Sequence, residues 1–311
     1  MNRGITYALL AAALFGASTP FAKQLVGEVQ PLLLAGLLYL GSGLGLAIFR
    51  CIRDRGWRPP GLTRRGWAWL LAAILFGGVL GPAALMYGLT HAGAAQASLL
   101  LNLEAVLTAM IAWVVFRENA DRRVVLGMVA IVAGGVLLSW PSAQAQWLGW
   151  LGPLAISLAA LSWAIDNNLT RQVATDDALF IAGLKGLVAG FINTGLALAV
   201  GARLPPVDAI AGIFLVGLLG YGASLVLFVL ALRGLGVART GAYFSVAPFV
   251  GAALSIAMFG EATTPLFWIA AGMMAIGVWL HATEVHDHWH WHGDLHHRHP
   301  HYPDAEHRHR H

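Results

Sequence analysis

Three ionisable side chains stand where an otherwise apolar chain has little reason to carry charge. Glu104 falls about ten residues into an apolar run, which at ~1.5 Å per residue places it near the middle of a ~30 Å hydrocarbon layer. An ionisable group at that depth costs at least a few kcal/mol, so it faces a bundle interior and marks a functional site by default. Glu104 has no partner within its own helix and suits proton coupling or cation binding. The competing reading is a protonated acid bonded to Asn102 and neighbouring hydroxyls. Asp166 lies about four residues before the end of one span and Lys185 about seven residues into the next, so a hairpin brings them to similar depth. Two readings stay open: a buried ion pair that fixes helix register, or a gate or clamp whose two charges hold a zwitterionic solute. Asn167 and Asn193 add amide groups to the same region, Asn193 lying eight residues beyond Lys185 on nearly the same helical face. Trp163 and Tyr243 lie deeper than the other aromatics and are candidates to line a cavity.

Only membrane-spanning helices position such groups in this chain. Apolar residues make up 58% of its 311 residues and charged ones 11%, against about 45–50% and roughly 25% in soluble domains. Hydropathy with Gly, Pro and charge punctuation predicts spans near 4–26, 31–49, 66–89, 93–116 and 123–140. A second set lies near 147–170, 178–200, 208–232, 236–259 and 265–283. Arg3 and the apolar stretch to Phe15 read as the first span and not a secretory signal, because Lys23 ends a full-length run and nine similar segments follow. Trp57, Trp67, Trp69, Trp140, Trp147 and Trp150 flank spans as an interfacial belt does.

Basic residues divide unevenly between the two sides. Arg3, Arg50, Arg53, Arg55, Arg58, Arg64, Arg65, Arg117, Arg122, Arg123, Arg171, Arg233 and Arg239 gather on one side, while the other holds Lys23 and Arg203. The bias predicts a multi-pass protein of the cell (inner) membrane with both termini cytoplasmic. It also accounts for the basic isoelectric point near 9.6 without a nucleic-acid partner. The lone Cys51 permits neither an intramolecular disulfide nor a cysteine metal site.

The chain repeats itself. A shift of 143 residues aligns Leu89 with Leu232, Gly93 with Gly236, Ala109 with Ala252, Phe116 with Phe259 and Glu118 with Glu261, and a shift of 148 aligns Phe15 with Trp163 and Lys23 with Arg171. Residues 4–140 and 147–283 are thus two five-helix repeats, and an odd number of spans inserts the second with opposite topology. The expected fold is an all-α membrane protein of ten transmembrane helices in two inverted repeats. Gly77, Gly78, Gly81 and Pro82 in the third span and Gly217, Gly220 and Gly222 in the eighth interrupt corresponding segments and are candidate hinges, with Pro248 a further one in the ninth. Paired interruptions of this kind point to a transporter site.

Leu14-Phe15-Gly16-Ala17-Ser18, Glu104-Ala105-Val106 through Phe116-Arg117-Glu118, and Ala247-Pro248-Phe249 through Phe259-Gly260-Glu261 resemble the drug/metabolite transporter superfamily, in particular its EamA-type ten-helix branch. The resemblance covers roughly residues 4–282 and implies a secondary carrier with a central cavity, by analogy an exporter. Ala105 stands where many relatives have the proline kept here as Pro248, so a straighter fourth helix is expected.

From residue 284 onward the composition predicts a disordered cytoplasmic tail. His286, His288, His290, His292, His296, His297, His299 and His301 are weak candidate ligands for Zn²⁺, Ni²⁺, Co²⁺ or Cu²⁺. Three functions compete: a carrier of a small organic metabolite, proton-coupled or facilitated; a divalent-metal efflux carrier fed by the tail; and a membrane-anchored metal sensor. No cofactor is required, a small molecule or ion is the expected partner alongside the lipid bilayer, and a homodimer is compatible with the sequence. No nucleotide loop or paired nucleophile and base indicates an enzyme.

Overall fold

A computed structural model describes residues 3–55, 61–116, 122–139, 147–283, 286–292 and 295–301. The first repeat runs α1 (Arg3–Val26), α2 (Pro31–Asp54), α3 (Arg64–Ala73), a π-helix (Ile74–Leu80), α4 (Gly81–His91), α5 (Ala94–Leu100), α6 (Leu103–Phe116) and α7 (Arg122–Ser139). The second runs α8 (Leu151–Arg171) after a 3₁₀ turn, then α9 (Ala178–Ala199), α10 (Val207–Val216), a π-helix (Gly217–Ala223), α11 (Ser224–Phe244), α12 (Ala247–Phe259) and α13 (Pro265–Ala282). Among the described residues, seven helical stretches are long and apolar enough to cross a membrane, and Val125–Ser139 and Pro265–Leu280 are shorter apolar helices. Large apolar side chains such as Phe49, Val115, Leu158, Phe191 and Trp268 face outward. Lipid is the medium in which so much outward apolar surface is stable.

The repeats interlock. α1 packs on α11 and α12, α8 packs on α4 and α6, α2 runs along α9, and α7 lies against α13. The α2–α9 contact depends on small residues: a Cβ on Gly186 would meet the Gly43 nitrogen at 2.5 Å. Where lipid is as apolar as leucine, such close backbone approach is a main source of helix association.

The 143-residue shift reappears in the backbone. It carries the π-helix Ile74–Leu80 onto the π-helix Gly217–Ala223, residue for residue. The candidate hinges Gly77 and Gly78 lie in the first π-helix, Gly217, Gly220 and Gly222 in the second, and Gly81 and Pro82 open α4. To within one residue, the shift also relates two helix breaks, one at Leu101–Asn102 and one at Ser245–Val246. The expectation of a straighter fourth helix therefore fails. The break forms without a proline through short-range bonds, Asn102 N–H to Leu99 O at 3.0 Å and Glu104 N–H to Leu101 O at 3.0 Å. A second boundary also differs: α11 continues unbroken to Phe244, past the predicted end near 232.

On the Lys23 side, Lys23 Nζ donates to the carbonyls of Leu89 (2.5 Å) and Ala92 (2.8 Å), closing the end of α4. Glu261 accepts from the Ala94 and Ala95 amides at 2.8 and 3.2 Å and so satisfies the start of α5. Its repeat counterpart Glu118 lies outside the described residues. On the arginine-rich side, Asp177 accepts from Arg50 at 2.9 Å and Arg53 at 2.6 Å, tying the α8–α9 loop to α2. Burial alone would raise the Asp177 carboxyl, but hydrogen bonds from Arg53 and Arg50 outweigh it and hold the pKa at about 2.

In the tail, β1 (His286–His292) and β2 (Leu295–His301) pair antiparallel. His286 stands opposite His301, His288 opposite His299 and His290 opposite His297. The physical reason is a period-two sequence, His-Asp-His-Trp-His-Trp-His, whose alternation matches the strand repeat.

Candidate functional site

Between the repeats lies a cavity lined by residues of both halves: Phe15, Tyr39 and Glu104 from the first, and Trp163, Asp166, Asn167, Lys185, Tyr221, Ser224, Phe228 and Phe244 from the second. An adjoining space shares Phe15, Glu104, Asn167, Phe228 and Phe244 and adds Asn102, Thr108 and Pro248.

Glu104 is placed here by the break in its helix. Its side chain starts in the first turn of α6. Oε1 accepts from Asn167 Nδ2 at 2.8 Å, and Asn167 also reaches Thr108 Oγ1 at 3.4 Å. Among the described residues no cation pairs with Glu104. Asn102 contributes less than expected: its Nδ2 caps Leu99 O at 3.1 Å, and it makes no bond to Glu104.

Asp166 and Lys185 engage each other. Nζ of Lys185 donates to Oδ1 and Oδ2 of Asp166 at 2.5 and 2.6 Å and to Thr170 Oγ1 at 3.1 Å, and Thr170 donates to Asp166 Oδ1 at 2.8 Å. An ammonium carries three N–H donors, so this set uses them all. Lys185 is 1% exposed, so its charge is committed to the pair. Of the two readings left open by the sequence, the geometry matches the pair; a clamp with separate charges for a zwitterion is not what these distances describe.

The first π-helix makes this packing feasible. The widened turn presents the Gly77 carbonyl, which accepts from Tyr39 Oη at 2.8 Å and Trp163 Nε1 at 2.9 Å. A Cβ on Gly77 would collide with the Asp166 carboxylate, so only glycine lets α8 approach. Asn193 is drawn to the same segment, donating to Gly78 O at 3.1 Å, and does not line the cavity.

Aromatic rings form the remaining wall. Phe15 meets Trp163 edge-on at 5.4 Å, Tyr221 at 5.9 Å and Phe244 at 5.5 Å, while Tyr39 meets Tyr221 at 5.3 Å. Tyr243 is a correction: it packs against Ala8, Ala231 and Leu235, and its neighbour Phe244 lines the cavity. Adjacent helical positions differ by about 100°, so one residue decides the face. Sequence reasoning passed over Tyr39, Tyr221, Phe228 and Phe244. For Tyr39 a signal existed, since a phenol inside the run Leu37-Leu38-Tyr39-Leu40 needs a buried partner.

No three His, Cys, Asp or Glu among the described residues are grouped so as to hold a metal ion. With Asp166 occupied by Lys185, the described cavity offers Glu104 as its single unpaired carboxylate, and nothing there favours the metal-carrier reading.

The pattern of the EamA-like transporter family matches residues 2–140 and 150–283, one match per repeat. An uncharacterized transporter of Methanothermobacter thermautotrophicus is 25% identical over 287 residues, covering 88% of this chain and 84% of the relative. The uncharacterized inner membrane transporter YedA of Escherichia coli K12 is 23% identical over 280 residues, covering 87% and 88%. A crystallised protein with 19% identity superposes with a TM-score of 0.67 over 88% of this chain and 95% of its own, which shows a shared fold. The chain belongs to the EamA-like transporter family and is a multi-pass membrane transporter.

Proposed function

We propose that this member of the EamA-like transporter family is a secondary carrier that moves a small organic solute through the inter-repeat cavity by alternating access. The single observation that carries the reading is the position of Glu104: an unpaired carboxylate at a helix break, in a cavity bounded by both repeats. Discontinuous helices at the repeat interface are where carriers of this architecture bind solute and coupling ion. Glu104 is the proton-coupling residue, releasing a proton to one side and regaining it from the other. The two π-helices let each half flex, since a wide turn is easily exchanged for a regular one. Export is the working direction; the arginine bias supports cytoplasmic termini, and the name of the Escherichia coli relative supports an inner-membrane location.

Flux in proteoliposomes tests the reading. With a pH gradient imposed, Glu104→Gln should abolish driven uptake while leaving solute exchange or binding measurable. Driven flux equal to the parent would remove Glu104 from coupling. Metal binding by the tail is accessory in this reading, so deletion of residues 286–311 should leave organic solute transport unchanged.

A further inference from the structure

We infer that the cavity selects a cationic solute, an amine on a compact apolar or aromatic body, with Glu104 as its counter-charge; this rests on the carrier reading above and names the substrate class of that site. Charge accounting comes first. Asp166 and Lys185 cancel, and all three ammonium donors of Lys185 are in use. No other Lys, Arg or His is among the residues lining either space. Lys23 is held by the carbonyls of Leu89 and Ala92, and Arg50 and Arg53 by Asp177, all at the helix ends. A solute carboxylate or phosphate would enter without a free positive partner, and an unpaired charge out of water is heavily penalised.

Glu104 has the opposite property. Oε1 accepts from Asn167, and no described residue donates to Oε2, which leaves an acceptor for an incoming N–H. The ionised site carries one negative charge in excess, and a singly charged amine restores the balance. A zwitterion restores it at its ammonium and breaks it again at its carboxylate.

The walls fit the same class. Phe15, Tyr39, Trp163, Tyr221, Phe228 and Phe244 surround the carboxylate, with rings fixed against one another at 5.0–5.9 Å. Tyr39 and Trp163 spend their polar hydrogens on Gly77 O, so what they offer a solute is ring surface. Ring surface attracts ammonium groups through its quadrupole and apolar bodies through desolvation.

Four probes sharing a phenyl body separate the charge classes: phenethylamine, phenylalanine, hydrocinnamate and 2-phenylethanol, with ethylamine and tryptamine as smaller and larger amines. Binding to the purified full-length protein is read from tryptophan fluorescence and thermal shift, and exchange from counterflow in proteoliposomes. An amine should bind about 10- to 100-fold more tightly than its zwitterionic, anionic and neutral partners, a charge-assisted bond being the difference. Glu104→Asp should keep that preference and Glu104→Gln should erase it. Overturning results are tighter binding of phenylalanine or hydrocinnamate, equal binding of all classes, or an amine preference unchanged in Glu104→Gln. Loss of fold in Glu104→Gln would show in its melting profile, and Glu104→Asp with the parent ranking then decides alone. Counterflow of any probe other than an amine would keep the carrier reading and refute the cation inference, whereas no counterflow of any probe would refute both.

Discussion

Replacing Lys185 by methionine tests the interior of this protein most sharply. The substitution keeps length and removes the charge that Asp166 faces at 2.5 and 2.6 Å. Asp166 is 6% exposed, so water cannot take over. Breaking a buried pair from one side costs about 3–5 kcal/mol, which is roughly a 100- to 4,000-fold loss in the ratio of folded to unfolded protein. Asp166→Leu should cost a similar amount by stranding the ammonium of a lysine 1% exposed. The double variant Lys185→Met/Asp166→Leu should recover most of the loss, since apolar replacement of a buried pair is often neutral or stabilising by about 1–4 kcal/mol. Resistance to heat or denaturant in detergent, scored by monodisperse protein on gel filtration, supplies the cycle. Additive single effects, or a Lys185→Met protein as stable as the parent, would refute the pairing argument.

Gly77→Ala should destabilise by about 1–3 kcal/mol because its methyl group collides with the Asp166 carboxylate; Gly195→Ala, with nothing within 4 Å, is the control and should be neutral or slightly stabilising in the same melting assay. Glu261→Ala should remove the acceptor of the Ala94 and Ala95 amides and cost about 1 kcal/mol, read as roughly fivefold faster hydrogen exchange at those two positions. The Asp177 clamp has a defined pH window: its folded pKa of about 2 lies below the ordinary carboxylate value, so its stabilisation is complete above that ordinary value, about 4, and lost as pH falls towards 2. The stability gap between parent and Asp177→Asn should be constant from neutral pH to about 4.5 and close below it; a gap that widened on acidification would contradict the assignment.

The sequence was most informative where membrane physics allows little choice. A Glu, an Asp and a Lys inside apolar runs can be stable only in a polar or paired interior, and Glu104, Asp166 and Lys185 indeed share one cavity. Internal similarity likewise located the paired interruptions, which emerge as two π-helices in the same register. Less legible was anything decided by a single step of helical rotation. Tyr243 and Phe244 are adjacent and both aromatic, and only the rotation of α11 settles which one meets the cavity. The missing proline at Ala105 misled because it is one way to end a helix segment and not a requirement; Pro248 marks the break in one repeat, while in the other the chain turns without it. Glycine runs gave the positions of flexible turns but not their partners, so the meeting of Tyr39, Trp163 and Asp166 around Gly77 was invisible without the packing.

The exchange of first helices between repeats has a consequence for synthesis. α1 is synthesised well before its main packing partners α11 and α12, which begin at Ser224 and Ala247. Until then α1 has only its lesser contacts with elements such as α2, α4 and α5, and most of its stripe of Ala8, Ala11, Ala12 and Gly16 waits in lipid or against the insertion machinery. α8 meets no such delay, because α4 and α6 are already in place when it arrives. Maturation is therefore lopsided: the second repeat docks onto a scaffold, and the first is completed only as the last third of the chain is translated. A nascent chain halted before Ser224 would expose α1 to membrane quality-control proteases in a way that the finished protein does not.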